Sequence, residues 1–241
     1  MILPNPKDAV HRAWLYRILA AFADDSFLMT MLHFKGGTCA AMRELIDRFS
    51  VDLDFDLMDP EQAKPVQKHM EKIFSQLGLE IKDQSKIAPQ YFLKYPNKPG
   101  ERNTVQIDVA FPPLKSNRYE NVHLIEIDRL MPCQSIPTMF ANKLATPLER
   151  FKKSHSIAGR DLYDIHAFFL KGFSFDEAVI FEKTGLGVTA FMKKLKKFIV
   201  QHVAQIHIDH DLNVLLPVQQ FQRIRGNLKN ETLMFLSQFY S

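Results

Sequence analysis

The sequence predicts an α+β protein: a mixed β-sheet flanked by helices, followed by a C-terminal helical bundle. Three observations carry this reading. Up to about residue 131, short runs of alternating apolar and polar residues are interspersed with stretches of helical period. After Pro132 only the helical period persists. The chain has 241 residues, 46% of them hydrophobic, enough core for one large domain or two modest ones. Pro132 and Pro137 flank a polar stretch, so the boundary is expected there, with 1–131 as the mixed core and 132–241 as the helical part.

Taken in order, residues 7–30 read as one helix, with Ala9, Ala13, Ile18 and Phe22 among its apolar positions. A short strand at 31–35 leads into Gly36–Gly37, and a helix from Thr38 to about Asp47 follows. "VDLDFDL" at 51–57 alternates as a half-buried strand does. Pro60 opens a helix that Gly78 ends, Pro being tolerated in a first turn and Gly favoured after a last one. Strands are expected at 79–82, 90–95, 104–111 and 121–127, then helices at 137–150, 159–171, 175–183, 187–206 and 217–239. "HIDHDL", 207–212, reads as a polar turn between helices, since no further ligand cluster completes a metal shell.

No apolar run is long enough to span a bilayer, and the N-terminus lacks a basic segment followed by an apolar one. Cys39 and Cys133 are too few for a zinc site by themselves and suit a reducing cytosol, so a cytoplasmic protein is expected. Charge is uneven. Residues 141–200 hold eleven Lys and Arg against six Asp and Glu, a net of about +5, while the whole chain is +4. A basic second half suits a polyanionic partner. "MKKLKKF" at 192–198 is its densest part, a solvated helix face by default and an RNA-phosphate contact as the sharper reading.

The chemistry concentrates in "FKGGTCAAMRELIDRFSVDLDFDL", residues 34–57. On the strand, Val51, Leu53, Phe55 and Leu57 take one face, and Asp52, Asp54 and Asp56 the other. Neighbouring carboxylates on that face lie roughly 7 Å apart and repel by roughly 2 kcal/mol per pair at an effective dielectric of about 20. A hard divalent cation, Mg²⁺ or Mn²⁺, would relieve this. Asp108 in "TVQIDVAF" shares a strand face with Gln106 and can join Asp52 and Asp54 from a neighbouring strand, a set suited to metal-assisted phosphoryl transfer. Gly36 and Gly37 permit close backbone approach. Thr38 can cap the helix through its hydroxyl, leaving free amides for phosphate. The spacing is not that of a Walker A loop.

These residues resemble the AbiEii/MenT-type nucleotidyltransferase toxins of the DNA polymerase β-like superfamily. The first block matches through Gly36, Gly37 and Thr38, then Arg48, Phe49, Ser50, Asp52, Leu53, Asp54 and Phe55. A second, "ANKLATPLERF…GRDLYDIHAFF", matches through Lys143, Arg160, Asp161, Tyr163 and Asp164. The resemblance runs from about residue 8 to 172, and Cys39 and Ala40 depart from the usual residues after G-G-T. It implies an α/β-type nucleotidyltransferase core and transfer of a nucleotide from an NTP to an RNA acceptor, such as the tRNA 3′ end, or to a protein. It also implies a growth-inhibiting toxin with a cognate antitoxin. Asp52 and Asp54 become metal ligands, and Asp108 a third carboxylate or a base. Gly36, Gly37, Thr38, Arg48 and Ser50 become nucleotide contacts. Lys143 and Arg160 contact the triphosphate, and Asp161 positions Lys143 or the acceptor. Without the resemblance, Lys143 reads as a solvated lysine and Arg160–Asp164 as an i,i+4 helix pair. A non-catalytic nucleotide- or RNA-binding module, and an antibiotic-modifying transferase of the same superfamily, are the alternatives.

Overall fold

Seven strands form one mixed sheet in the order β3-β4-β5-β2-β1-β7-β6. They are β1 (Leu32–Lys35), β2 (Asp52–Leu57), β3 (Glu80–Gln84), β4 (Tyr91–Lys94), β5 (Thr104–Ala110), β6 (Tyr119–Leu124) and β7 (Arg129–Gln134) in a computed structural model that describes residues 1–85 and 88–240. β2 runs antiparallel to β1 and parallel to β5, and β7 runs parallel to β1. The remaining pairs are antiparallel hairpin-type ladders.

The N-terminal helix is two. Helix α1 (Asp8–Ala23) ends at Asp24, and Asp25 caps α2 (Ser26–Met31) by accepting from the Phe27 and Leu28 amides, both at 3.0 Å. A capping carboxylate is a stronger start signal than the continuing apolar period. The buried stripe of α1 is His11, Leu15, Ile18, Leu19 and Phe22, which leaves Ala9 and Ala13 exposed. Helix α3 (Gly36–Met42) begins on the glycine pair itself. A single 3-10 turn, Pro60–Gln62, precedes α4 (Ala63–Gln76), and Gly78 at φ +69° follows it.

β7 was not expected, because Pro132 and Pro137 mark this stretch as a polar boundary between the two parts. Pro132 lacks a donor and stands opposite Asn121 in the β6–β7 ladder, while the pairing of β7 with β1 is confined to Phe34 and Cys133. The expected boundary at 131/132 therefore falls within a strand. Beyond it lie α5 (Ile136–Ser154), α6 (Gly159–Leu170), α7 (Glu177–Thr184) and α8 (Val188–His202). Then come α9 (Gln205–Leu212), α10 (Val218–Ile224) and α11 (Leu228–Ser237). "HIDHDL" is thus helical: Ala204 N–H donates to His207 Nδ1 at 3.0 Å, and Asp209 is paired with Arg225. The expected helix at 217–239 breaks at Arg225–Gly226–Asn227.

One buried apolar cluster runs from Leu15 to Leu236 through both parts of the chain. Phe22, Phe34 and Phe55 meet at its centre, with ring centroids 5.3–5.7 Å apart. Among the described residues no helix is long and apolar enough to cross a membrane.

Candidate active site

The outward face of β2 forms one wall of a cleft of about 670 Å³, and α5 and α6 form the opposite wall. Strand alternation sends Leu53 and Phe55 into the core and turns Asp52 and Asp54 to the cleft. The parallel register pairs Asp54 with Asp108 and Asp52 with Gln106, so Asp108 faces the same cleft. Burial raises the Asp54 carboxyl to about 6, and Asp52 adds to the rise. Burial also raises Asp52, with Arg160 opposing and Asp108 reinforcing it.

The glycine pair is explained by contact. Gly36 has φ +79°, and a Cβ there would collide with the Asp54 carboxylate. A Cβ on Gly37 would sit 2.6 Å from Ser50 Oγ and 3.0 Å from Arg48 Nη2. The two glycines therefore let the segment 48–54 close onto the turn. Thr38 does not cap the helix. It is fully buried inside α3, and its hydroxyl donates to the Asp52 carbonyl at 2.5 Å, pinning α3 to β2. It is not among the residues that line the cleft.

The second block is wired differently from expectation. Asp164, 1% exposed, accepts from Arg48 Nε at 2.6 Å and Nη2 at 2.8 Å, and from Lys143 Nζ at 2.7 Å. Burial alone would raise the Asp164 carboxyl, but the two cations outweigh it and hold it at about 2. Arg48 is thus a buried brace between the segment leading into β2 and α6, and Lys143 is a paired lysine at the cleft wall. Arg160 does not pair with Asp164. Its guanidinium has no hydrogen-bond or ion-pair partner among the described residues and lines the cleft. Asp161 pairs with Arg150 at 2.7 Å, not with Lys143. Asp164, through Lys143 and Arg48, is the acid that orders this wall.

The metal expectation meets the geometry only in part. Among the described residues no three His, Cys, Asp or Glu side chains are grouped to hold an ion. Asp108 is taken up by the amides of Gln90 and Gln106, the latter at 2.6 Å. Asp52 and Asp54, mutually repelling on one strand, remain a two-carboxylate face. That fits Mg²⁺, which is commonly held by one or two carboxylates with water and substrate phosphates completing its shell. Sequence reasoning missed Lys35, Arg150 and the amide side chains on the cleft wall. Lys35 could have been found, since alternation along β1 places it opposite buried Phe34 and next to Gly36.

Residues 17–214 match the AbiEii family, described as the nucleotidyl transferase AbiEii toxin of a type IV toxin–antitoxin system. The chain belongs to that family. No curated protein matches it. Two solved structures share the family member's fold over nearly the whole length. JHP933 from Helicobacter pylori is 19% identical, with a TM-score of 0.61 over 99% of this chain and 95% of that one. A putative nucleotidyltransferase from H. pylori is 18% identical, with a TM-score of 0.60 over 98% and 97%. The AbiEii match spans both the Asp52/Asp54 strand and the Lys143–Asp164 wall.

Proposed function

We propose that this toxin-family nucleotidyltransferase transfers a nucleotide from an NTP, with Mg²⁺ or Mn²⁺, to an RNA acceptor such as the tRNA 3′ end. The observation that carries this reading is the raised, repelling Asp52–Asp54 pair facing a cleft whose far wall supplies Lys143 and an Arg160 unpaired among the described residues. Asp52 and Asp54 would hold the cation, which when bound supplies charge neutralisation at the phosphates. Ser50 and the Gly36–Gly37 backbone border the space for the triphosphate. Lys143 and Arg160 offset negative charge as it shifts during transfer. Asp108, oriented by Gln90 and Gln106, either receives the proton of an acceptor hydroxyl or joins the metal shell. The enzyme acts in the cytoplasm and is neutralised there by a cognate antitoxin. A protein acceptor is the competing outcome. The deciding experiment incubates the protein with each α-labelled NTP, Mg²⁺, total tRNA and cell lysate, and asks which molecule gains label. Label on tRNA supports the proposal. Label on protein alone moves the acceptor, and no label in any reaction overturns the activity.

A further inference from the structure

Asp56 is the one carboxylate of the Asp52–Asp54–Asp56 row for which the proposed transfer has no use. Its side chain is 3% exposed, with Oδ1 accepting from Lys35 and Oδ2 from three neutral donors. It accepts from Lys35 Nζ at 2.6 Å, Gln134 Nε2 at 2.7 Å, Tyr119 Oη at 2.8 Å and Asn117 Nδ2 at 3.4 Å. Four donors commit it to these neighbours. What the arrangement does is hold Lys35. In the β1–β2 register Lys35 lies opposite Asp54, yet its ammonium reaches two pairs along, to Asp56. An ammonium carries three donors, and Lys35 uses one of them among the described residues. Its side chain keeps 23% of its surface open and lines the cleft beside Gly36.

We infer that Lys35 is a phosphate-contacting cation of the nucleotide site, and that Asp56 is a positioning residue acting through it. This rests on the nucleotidyltransferase reading above. A buried carboxylate held by three neutral donors fixes the lysine's stem and aims its remaining N–H groups at the space over Gly36 and Asp54. A lysine suits that place, since it binds phosphate as a compact point charge. The strand thus divides its carboxylates: Asp52 and Asp54 face the cation, and Asp56 faces the lysine.

The test is calorimetric titration with magnesium tripolyphosphate, which has phosphates and no base, on wild type, Lys35→Met, Lys35→Arg, Asp56→Asn and the Lys35→Met/Asp56→Asn double variant. Lys35→Met should bind about tenfold more weakly or worse, the scale of one charge-assisted hydrogen bond. Lys35→Arg should recover part of the loss. Asp56→Asn should also weaken binding, and the double variant should bind like Lys35→Met alone. Amine acylation followed by mass spectrometry needs no variant: magnesium tripolyphosphate should protect Lys35 in wild type and leave exposed Lys152 equally reactive. Undiminished binding by Lys35→Met, or unprotected Lys35 where wild type binds, overturns this inference alone. An Asp56→Asn loss that persists in full on the Lys35→Met background overturns the positioning role. Wild type that binds neither tripolyphosphate nor any NTP overturns both this inference and the nucleotide reading.

Discussion

At the scale of single residues, the electrostatics make opposite demands on two aspartates. Asp54 titrates at about 6 in the fold against 3.8 for an ordinary aspartate, so ionising it costs the metal-free protein about 3 kcal/mol. Its contribution is most favourable below pH 3.8 and is lost as pH rises through about 6. Asp54→Asn should therefore raise the metal-free melting temperature at pH 8 and flatten its fall between pH 4 and 6, while transfer is abolished. Scanning calorimetry across pH in EDTA checks the first part, and wild-type turnover by the variant would sink the second. Asp164 behaves the other way: held at about 2 by Arg48 and Lys143, it stabilises above pH 3.8 and loses this only as pH falls through 2. Lys143→Ala should then cost stability as well as activity, by about 1.5–3 kcal/mol in denaturant melts, since a charge-assisted bond to a buried carboxylate is lost. A sequence reading of Lys143 as solvated implies no such cost. The aspartate row and the glycine pair were legible because alternation and local spacing govern them, whereas local spacing alone paired Arg160 with Asp164, a pairing the fold does not make. The partners of Asp164 and Asp161 were not legible, because Arg48 lies 116 residues from Asp164 and no local rule couples them.

At the scale of elements, α3 and α9 show what fixes the walls. Thr38 ties α3 to β2 through one buried bond to a strand carbonyl, so Thr38→Val should lower stability by about 1 kcal/mol in urea melts. Gly159 opens α6, where a Cβ would stand 2.5 Å from both the His207 carbonyl oxygen and the Ile208 Cα of α9. Gly159→Ala should cost about 1–3 kcal/mol by prising those helices apart, and an unchanged melting curve would contradict that packing. Strand and helix periods found most elements, including β2 within one residue and β5. They failed where a single side chain overrode the period: Asp25 splitting the first helix, Pro132 tolerated inside β7, and His207 closing the turn into α9. Each is a local hydrogen-bond choice that apolar patterning does not record.

At the scale of the whole molecule, the basic excess of residues 141–200 divides between the cleft and the outer surface. Lys143, Arg150, Arg160 and Lys183 line the cleft, whereas Lys193 and Lys196 lie over the Tyr240 ring at 5.6 and 5.5 Å. That leaves Lys152, Lys153, Lys194 and Lys197 exposed, the last two on the face of α8. If tRNA is the acceptor, Lys194→Glu with Lys197→Glu should weaken tRNA binding and shallow its salt dependence by about 0.7–0.9 in log–log slope per lost contact, with tripolyphosphate binding unchanged. Indifference of tRNA affinity to both salt and these lysines favours a protein acceptor. The cleft itself draws on residues from Lys35 to Leu215, and the Phe49 amide donates to the Leu215 carbonyl at 2.9 Å. A ribosome making this chain must therefore synthesise most of it before the buried Arg48–Asp164 brace and the wall beside it can close. For a toxin-family enzyme the consequence is a built-in delay: chains that stop short of Leu215 lack part of the cleft lining, and α6 gains its α11 neighbour only when the chain is nearly complete.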